Sequence, residues 1–258
     1  MNEAVLLEIQ NGVGVLMLNR PEKFNCLSSE VVAAFNKHLD TCATNRDVRA
    51  LVIAANGKNF CTGADLDEVL GARAERQKLE LFIGNGHKLL RRFEALDLPV
   101  IAGVQGLALA GGMELMMAAD VTFADPAAKI ACQHARYGLV PGWGGTQRLP
   151  RRIGLNRALE LMVSGRWLEA TEAKDWGLVN QISEAGKVRD AAIAFAADLA
   201  KKSRSGLAAM KRLARQGMDK TLDAGLTLEE HDVIDALLSA DVDEGLAAFQ
   251  QRRAPNFP

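Results

Sequence analysis

The sequence predicts an α/β fold, in which strands and helices alternate around a largely parallel sheet and a block of helices follows. Two observations lead to this prediction. Before Asn156, short apolar runs alternate with segments of helical periodicity, which is typical of βαβ units. From Asn156 onward the periodicity is almost wholly helical, with one short strand expected near residues 178–182. Connections of the βαβ kind favour right-handed crossovers and a twisted sheet that helices cover.

The first predicted element is a β-hairpin, because apolar runs at residues 5–9 and 13–18 flank Asn11-Gly12, a dipeptide typical of tight hairpin turns. The following elements are a helix over 29–42 that Ser28 can cap, a strand over 49–54, a long helical region over 66–95, a strand over 99–104, a small-residue turn over 106–112, a helix over 113–119 and a strand over 121–124. The clearest later helices are predicted over 188–200, 206–216, 222–239 and 242–253.

Composition and charge exclude several classes of protein. The chain has 258 residues with 31 Lys and Arg against 32 Asp and Glu, a formal net charge of -1, so no nucleic-acid partner is expected. The opening MNEAVLLEIQ lacks the features of a signal or transit peptide, and polar residues break the apolar runs. We therefore expect no membrane partner and a cytoplasmic location.

The four cysteines predict neither a metal site nor a redox pair. Cys26, Cys42, Cys61 and Cys132 are far apart and form no CxxC motif. In a reducing compartment such residues usually act as small buried hydrophobes. We expect no metal and no redox cofactor.

Two glycine-containing loops follow predicted buried strands, and each precedes a helix. They are residues 60–66, FCTGADL, and residues 106–112, GLALAGG. The first N–H groups of a helix have no partner within the helix, so each loop could direct a donor at an anion. Two such donors would form an oxyanion hole. From the loops alone, the alternative that their glycines only permit tight turns stays open.

Four motifs in one order resemble the crotonase family, which comprises enoyl-CoA hydratases and isomerases. They are NRP at residues 19–21 with Asn25 and Leu27, FCTGADL, GGMEL at 111–115, and GLVPGWGGTQRL at 138–149. The resemblance covers nearly the whole chain. It implies a crotonase-like spiral of βαβ units with a C-terminal helical block.

The resemblance also implies how the two loops act. The amides of Ala64 and Gly111 match the two donors that hold the thioester oxygen as it becomes an enolate. A preorganised donor of this kind typically contributes about 3 kcal/mol. The same device serves hydration, isomerisation, decarboxylation and hydrolysis, so fold and oxyanion hole indicate acyl-CoA chemistry without selecting a reaction.

Glu114 and His134 are the candidate acid/base residues. Glu114 lies three residues after Gly111 and matches one hydratase glutamate of the family. A carboxylate in so apolar a segment needs a partner or a role, and a structural salt bridge is the alternative. The second hydratase glutamate of the family corresponds to His134, which is the main departure from the family pattern. Either His134 replaces that glutamate, or the reaction has changed, or His134 only lines the pocket.

Further residues are expected to contact the substrate. The resemblance places Lys23, Ala64, Asp65, Leu66 and Gly111 beside coenzyme A or the thioester. Trp143, in the variable position of the PGWGG loop, could wall the acyl pocket. Asp67 stands where many hydratases carry a lysine, which weakens that part of the comparison. Arg252 matches a basic residue that in relatives reaches the neighbouring subunit's ligand; an ordinary solvated charge is the alternative.

The resemblance implies a homotrimer or homohexamer. We therefore divide the chain into a core, residues 1–200, and a C-terminal helical oligomerisation segment, residues 201–258. The substrate is an acyl-CoA thioester, so coenzyme A enters with the substrate and no other cofactor is expected.

The leading functional hypothesis is hydration of a 2-enoyl-CoA to a 3-hydroxyacyl-CoA. A Δ3/Δ2-enoyl-CoA isomerase, a decarboxylase, a thioester hydrolase and a non-catalytic acyl-CoA binder remain alternatives. The presence of Glu114 argues against the last of these.

Overall fold

The structure, a computed structural model, describes residues 3–257 and contains two sheets in that range. The larger sheet has the strand order β1-β2-β3-β4-β6-β9 and the smaller one β5-β7-β8. The strands are β1 Val5–Gln10, β2 Val13–Leu18, β3 Ala50–Ala55, β4 Val100–Val104, β5 Leu107–Leu109, β6 Val121–Ala124, β7 Lys129–Ala131, β8 Leu168–Glu169 and β9 Gln181–Ile182.

The larger sheet is parallel except at its first pair. Strands β1 and β2 form the predicted antiparallel hairpin, in which Val5 lies opposite Leu18. Its turn has Asn11 at φ 49° and Gly12 at φ 78°, the left-handed conformations that favour this dipeptide. Every later neighbour in this sheet pairs in parallel, which confirms the predicted α/β fold class.

Helices connect and cover the strands. They are α1 Ser29–Thr44, α2 Leu66–Ala72, α3 Arg76–Ala95, α4 Gly111–Ala118, α5 Gly145–Ile153, α6 Leu155–Ser164, α7 Ala170–Asp175, α8 Val188–Ala200, α9 Arg204–Gly217, α10 Leu222–Leu237 and α11 Ala240–Gln251. The Ser28 hydroxyl accepts a hydrogen bond from the amide of Val31 at 3.2 Å and so caps α1 as predicted.

Two local predictions were wrong. The single helical region over residues 66–95 is two helices, because α2 ends at Ala72 and α3 starts at Arg76. The predicted small-residue turn over 106–112 contains β5, which pairs with β7, and the strand β8 was not predicted. These three strands are two or three residues long and are stabilised by partners distant in sequence, so local pattern does not reveal them.

The core lies on both faces of the larger sheet. All six residues of β3 are buried, as expected for a central parallel strand. On one face Val188, Ala192 and Ala196 of α8 pack against the sheet. On the other, Phe35 of α1 and Phe93 of α3 meet edge to face, with ring centroids 5.5 Å apart. The packed sheet holds the ends of β3 and β4 rigid where the site is built.

The last three helices dock on this core mainly through polar contacts. No residue of α9 or α10 is fully buried. The ammonium of Lys211 in α9 donates to the carbonyl oxygens of Phe93 and Leu98, both at 2.9 Å, and pairs with Asp120 at 2.9 Å. Among residues 3–257, no helix is long and apolar enough to span a bilayer.

Candidate active site

The two glycine-containing loops lie side by side. Cys61 donates its amide to the carbonyl of Leu107 at 3.0 Å and accepts from the amide of Leu109 at 2.9 Å. Gly63 has φ 108°, and a Cβ there would lie 3.2 Å from the nitrogen of Gly111. Glycine is therefore required both for the backbone conformation and for the close approach of the loops.

The amides of Ala64 and Gly111 are the two donors that the sequence predicts for the oxyanion hole. Gly111 is the first residue of α4, and Ala64 precedes Asp65, the N-cap of α2. Within the described part of the chain, neither amide donates a hydrogen bond. Ala110, directly before Gly111, has φ 47° and ψ −116°, a strained conformation for a residue with a side chain. Backbone strain is thus concentrated where the second donor is presented.

Both amide-bearing residues line a cavity of about 530 Å³. One part of its wall is polar and includes Lys23, Asp65, Glu114 and His134. Another part is apolar and aromatic: Leu66, Val69, Phe82, Ile83, Leu139, Val140, Trp143 and Trp167. A mostly apolar cleft with a few convergent polar groups is typical of a small-molecule site.

Glu114 is buried in the wall of this cavity, with 1% of its surface exposed. Its Oε1 accepts hydrogen bonds from the amides of Trp143 at 2.8 Å and Gly145 at 2.6 Å. Burial raises the pKa of Glu114 to about 7, against the lowering effects of those hydrogen bonds and of the Arg148 charge. Of the described residues, only His134 lies within ion-pair distance of Glu114, so the geometry gives no support to a structural salt bridge with Lys or Arg.

His134 lies on a short 3₁₀ helix, Gln133–Tyr137, that follows β7. Its Nε2 is 4.0 Å from Oε2 of Glu114, and its Nδ1 is 3.4 Å from Sγ of Cys132. Burial lowers the pKa of His134 and so favours the neutral ring. The structure therefore brings the two predicted acid/base residues together at one cavity.

Trp143 forms part of the cavity wall and is 3% exposed. Its indole lies 5.5 Å from the ring of Phe82, centroid to centroid. A Cβ on Gly111 would lie 2.8 Å from the indole, so Trp143 packs directly on the start of α4. Arg148 donates to the carbonyl of Trp143 at 2.7 Å and pairs with Glu94 at 2.6 Å, which fixes the loop that holds Glu114.

The remaining predicted contact residues fall in different places. Lys23 and Leu66 line the cavity and are more than half exposed, and the ammonium of Lys23 is 3.6 Å from Asp67. Asp65 lines the cavity but caps α2 and pairs with Arg20 at 3.3 Å. Arg252 ends α11 in the left-handed conformation, φ 53°, away from the residues that form the cavity. A role for Arg252 within its own chain is therefore not supported by this geometry.

Comparison with known proteins bears on this arrangement. The family model described as enoyl-CoA hydratase/isomerase matches residues 8–258. The chain belongs to this family. A protein of Bacillus subtilis named "Probable enoyl-CoA hydratase" is 35% identical over 255 residues, covering 98% of each chain. The human mitochondrial methylglutaconyl-CoA hydratase is also 35% identical, over 98% of this chain and 75% of its own length.

Solved structures agree with the family assignment. An enoyl-CoA hydratase from Polaromonas sp. JS666 superposes with a TM-score of 0.95 at 29% identity, covering 98% of this chain and 99% of the other. An enoyl-CoA hydratase from Bacillus anthracis gives 0.94 at 31% identity, covering 98% of both. The predicted crotonase resemblance and fold are confirmed.

Sequence reasoning missed one contact at the family site. Cys132 was interpreted as a small buried hydrophobe, and it is fully buried, but its sulfur contacts the imidazole of His134. Its position two residues before His134 was the available signal, because the tight turn that starts the 3₁₀ helix can return one side chain toward the other.

Proposed function

We propose that this enzyme adds water across the double bond of a 2-enoyl-CoA thioester and produces a 3-hydroxyacyl-CoA. The observation that carries the proposal is the 4.0 Å separation between Oε2 of Glu114 and Nε2 of His134 at a cavity that the two unpaired amides also line. One water oxygen can lie about 2.8 Å from two atoms separated by this distance. The pair can therefore bind and orient a single water.

The reaction follows from this placement. The thioester oxygen accepts hydrogen bonds from the amides of Ala64 and Gly111, which stabilise negative charge as the water oxygen bonds to Cβ and the π electrons move toward the carbonyl. Glu114 takes one proton from the water and returns a proton to Cα, which restores the thioester. The net change is the addition of H and OH across the double bond. A pKa of about 7 for Glu114 suits both accepting and donating a proton near neutral pH.

Binding of the coenzyme A portion is proposed for the polar end of the cavity. Lys23 is the candidate contact for a phosphate, with Asp65 and Leu66 beside it and Trp143 against the acyl group. We further propose that the reaction needs no metal or cofactor besides the coenzyme A of the substrate. The four free cysteines are consistent with a cytoplasmic location, which we also propose.

A homotrimer or homohexamer is proposed for the assembly, with residues 201–258 as the oligomerisation segment and Arg252 directed at a neighbouring subunit's ligand. Exposed apolar residues on the last helices support this, among them Leu237, Leu238 and Phe249, the last of which is 82% exposed. Sedimentation equilibrium should give a trimer or larger species at micromolar concentration. A stable monomer would contradict the assembly and the role of Arg252.

The test of function uses crotonyl-CoA and the parent protein. Hydration removes the conjugated double bond, so the thioester absorbance should fall and the product should be heavier by one water. The alternatives give different results: an isomerase moves the double bond of a 3-enoyl-CoA, a hydrolase releases free CoA, and a decarboxylase releases carbon dioxide from a carboxylated acyl-CoA. A protein that binds acyl-CoA thioesters and converts none would be a non-catalytic binder. Any of these outcomes without hydration would refute the proposal.

His134 needs its own comparison. His134→Ala should lower hydration about tenfold or more if the imidazole takes part in the reaction. Unchanged turnover in His134→Ala would show that His134 only lines the pocket.

A further inference from the structure

Cys132 and His134 form a contact that the proposed reaction does not yet use. Cys132 directly follows β7 and precedes the 3₁₀ helix that carries His134. Its side chain is completely buried, and its sulfur lies 3.4 Å from Nδ1 of His134, within hydrogen-bond range for sulfur. On the other side of the ring, Nε2 faces Oε2 of Glu114 at 4.0 Å. The three side chains therefore lie in series, with the imidazole in the middle.

The Cys132 sulfur carries its hydrogen at neutral pH. Burial raises the pKa of this thiol to about 11, with the charge of Glu114 adding to the rise and a hydrogen bond from the His134 backbone opposing it. Within the described residues, Nδ1 of His134 is the side-chain nitrogen or oxygen in contact with this sulfur. If Nδ1 carried a proton instead, the thiol hydrogen would be buried without that acceptor.

The other side of the ring favours the same arrangement. A neutral imidazole carries one proton, so a thiol that donates to Nδ1 leaves that proton on Nε2. Oε1 of Glu114 is occupied by two backbone amides, and Oε2 is the carboxylate oxygen that faces His134. An ionised carboxylate only accepts, so it favours an N–H group opposite it over a bare ring nitrogen.

We propose that Cys132 is a positioning residue whose thiol holds His134 in the Nε2–H tautomer, so that His134 donates a hydrogen bond to the oxygen atom bound between it and Glu114. Under this arrangement the ring orients the water and Glu114 alone accepts its proton. The division of roles rests on the proposed hydration, whereas the tautomer does not.

The tautomer is measured directly by two-bond ¹H–¹⁵N correlation spectra of protein labelled with ¹⁵N-histidine, at about pH 8 where the ring is neutral. The chain has four histidines, and the loss of one signal set in His134→Asn assigns His134. We expect the parent protein to show the Nε2–H pattern for His134. An Nδ1–H pattern in the folded parent protein overturns the proposal, whatever reaction the protein catalyses.

Three variants test the cause. Cys132→Val keeps an apolar side chain of similar size but removes the donor, and it should shift His134 toward the Nδ1–H tautomer and lower kcat by about tenfold or more with little change in KM. Cys132→Ser keeps a donor and should recover at least part of both. Cys42→Val is the matched control, because Cys42 is also fully buried and its thiol lies elsewhere, between α1 and the larger sheet.

The outcomes separate this inference from the proposed function. A parent-like tautomer in Cys132→Val, or loss of turnover no greater than in Cys42→Val, overturns the positioning role. If Cys132→Val does not fold, the parent spectrum and Cys132→Ser decide the question, since a serine variant with the Nδ1–H pattern and full turnover would also overturn it. Failure to hydrate crotonyl-CoA, with the expected tautomer present, would refute only the hydratase proposal.

Discussion

Replacing Glu114 by glutamine should lower activity and raise stability at the same time. Glutamine keeps the size of the side chain, and its carbonyl oxygen can accept from the amides of Trp143 and Gly145 as Oε1 does now. It cannot accept a proton from water. Loss of a general base typically lowers turnover about 100-fold to 10,000-fold, and we expect at least the lower figure.

The effect on stability follows from the raised pKa. Between 4.5 and about 7 the folded protein binds a proton at Glu114 that the unfolded chain has released, so stability falls as pH rises through this window and stays lower above it. At about 1.4 kcal/mol per pH unit, this penalty is about 3 kcal/mol above neutral pH. Glutamine never ionises, so Glu114→Gln should gain up to about 3 kcal/mol in the free energy of unfolding at about pH 8 and nothing at about pH 4.

The assays are the fall in crotonyl-CoA absorbance and reversible urea denaturation at both pH values, at one fixed protein concentration. Glu80→Gln is the control, because Glu80 is exposed on α3 and pairs only with exposed Arg76; it should change neither quantity appreciably. The reasoning is refuted if Glu114→Gln retains turnover within about threefold of the parent. Equal stability changes at the two pH values would refute the linkage argument alone.

Three further predictions concern packing, pH and metals. Gly84 and Gly86 lie on the same helix, but a Cβ on Gly86 would be 2.2 Å from Nε1 of Trp143 whereas a Cβ on Gly84 meets nothing within 4 Å. Urea denaturation should therefore show Gly84→Ala stabilised by up to about 1 kcal/mol and Gly86→Ala destabilised by about 1–3 kcal/mol; the same sign for both would contradict this packing. The pH profile of kcat/KM should rise through about 7 as Glu114 loses its proton, and a flat profile from about pH 5 to 9 would exclude Glu114 as the base. Dialysis against EDTA should leave crotonyl-CoA turnover unchanged, and loss of activity restored by a divalent ion would show that a metal is needed.

Predictions from sequence succeeded where the decisive interactions are local. The hairpin at Asn11-Gly12 depends on the backbone preferences of two residues, and the cap of α1 depends on Ser28 and an amide three residues away. The break between α2 and α3 was missed, although it is local, because the residues from Arg73 to Glu75 include neither glycine nor proline. The strands of the smaller sheet were missed because their pairing partners are far away in the chain.

The candidate site shows the same division. Glu114 stands out in the sequence as a carboxylate within an apolar helix, and the structure shows how two backbone amides hold it. That His134 would face Glu114 could be expected only from the resemblance to the crotonase family, because 20 residues and two strands separate them. The contact between Cys132 and His134 depends on side-chain directions after β7, which residue spacing alone does not determine.

The position of Lys211 ties the C-terminal segment to the rest of the chain. Its ammonium is 8% exposed and satisfies two carbonyl oxygens and the carboxylate of Asp120. A protein shortened at residue 200 would lose this partner, and Asp120 would also lose the guanidinium of Arg215. Desolvated acceptors without donors are strongly destabilising. The boundary between residues 200 and 201 therefore separates segments by role, while their folding remains interdependent.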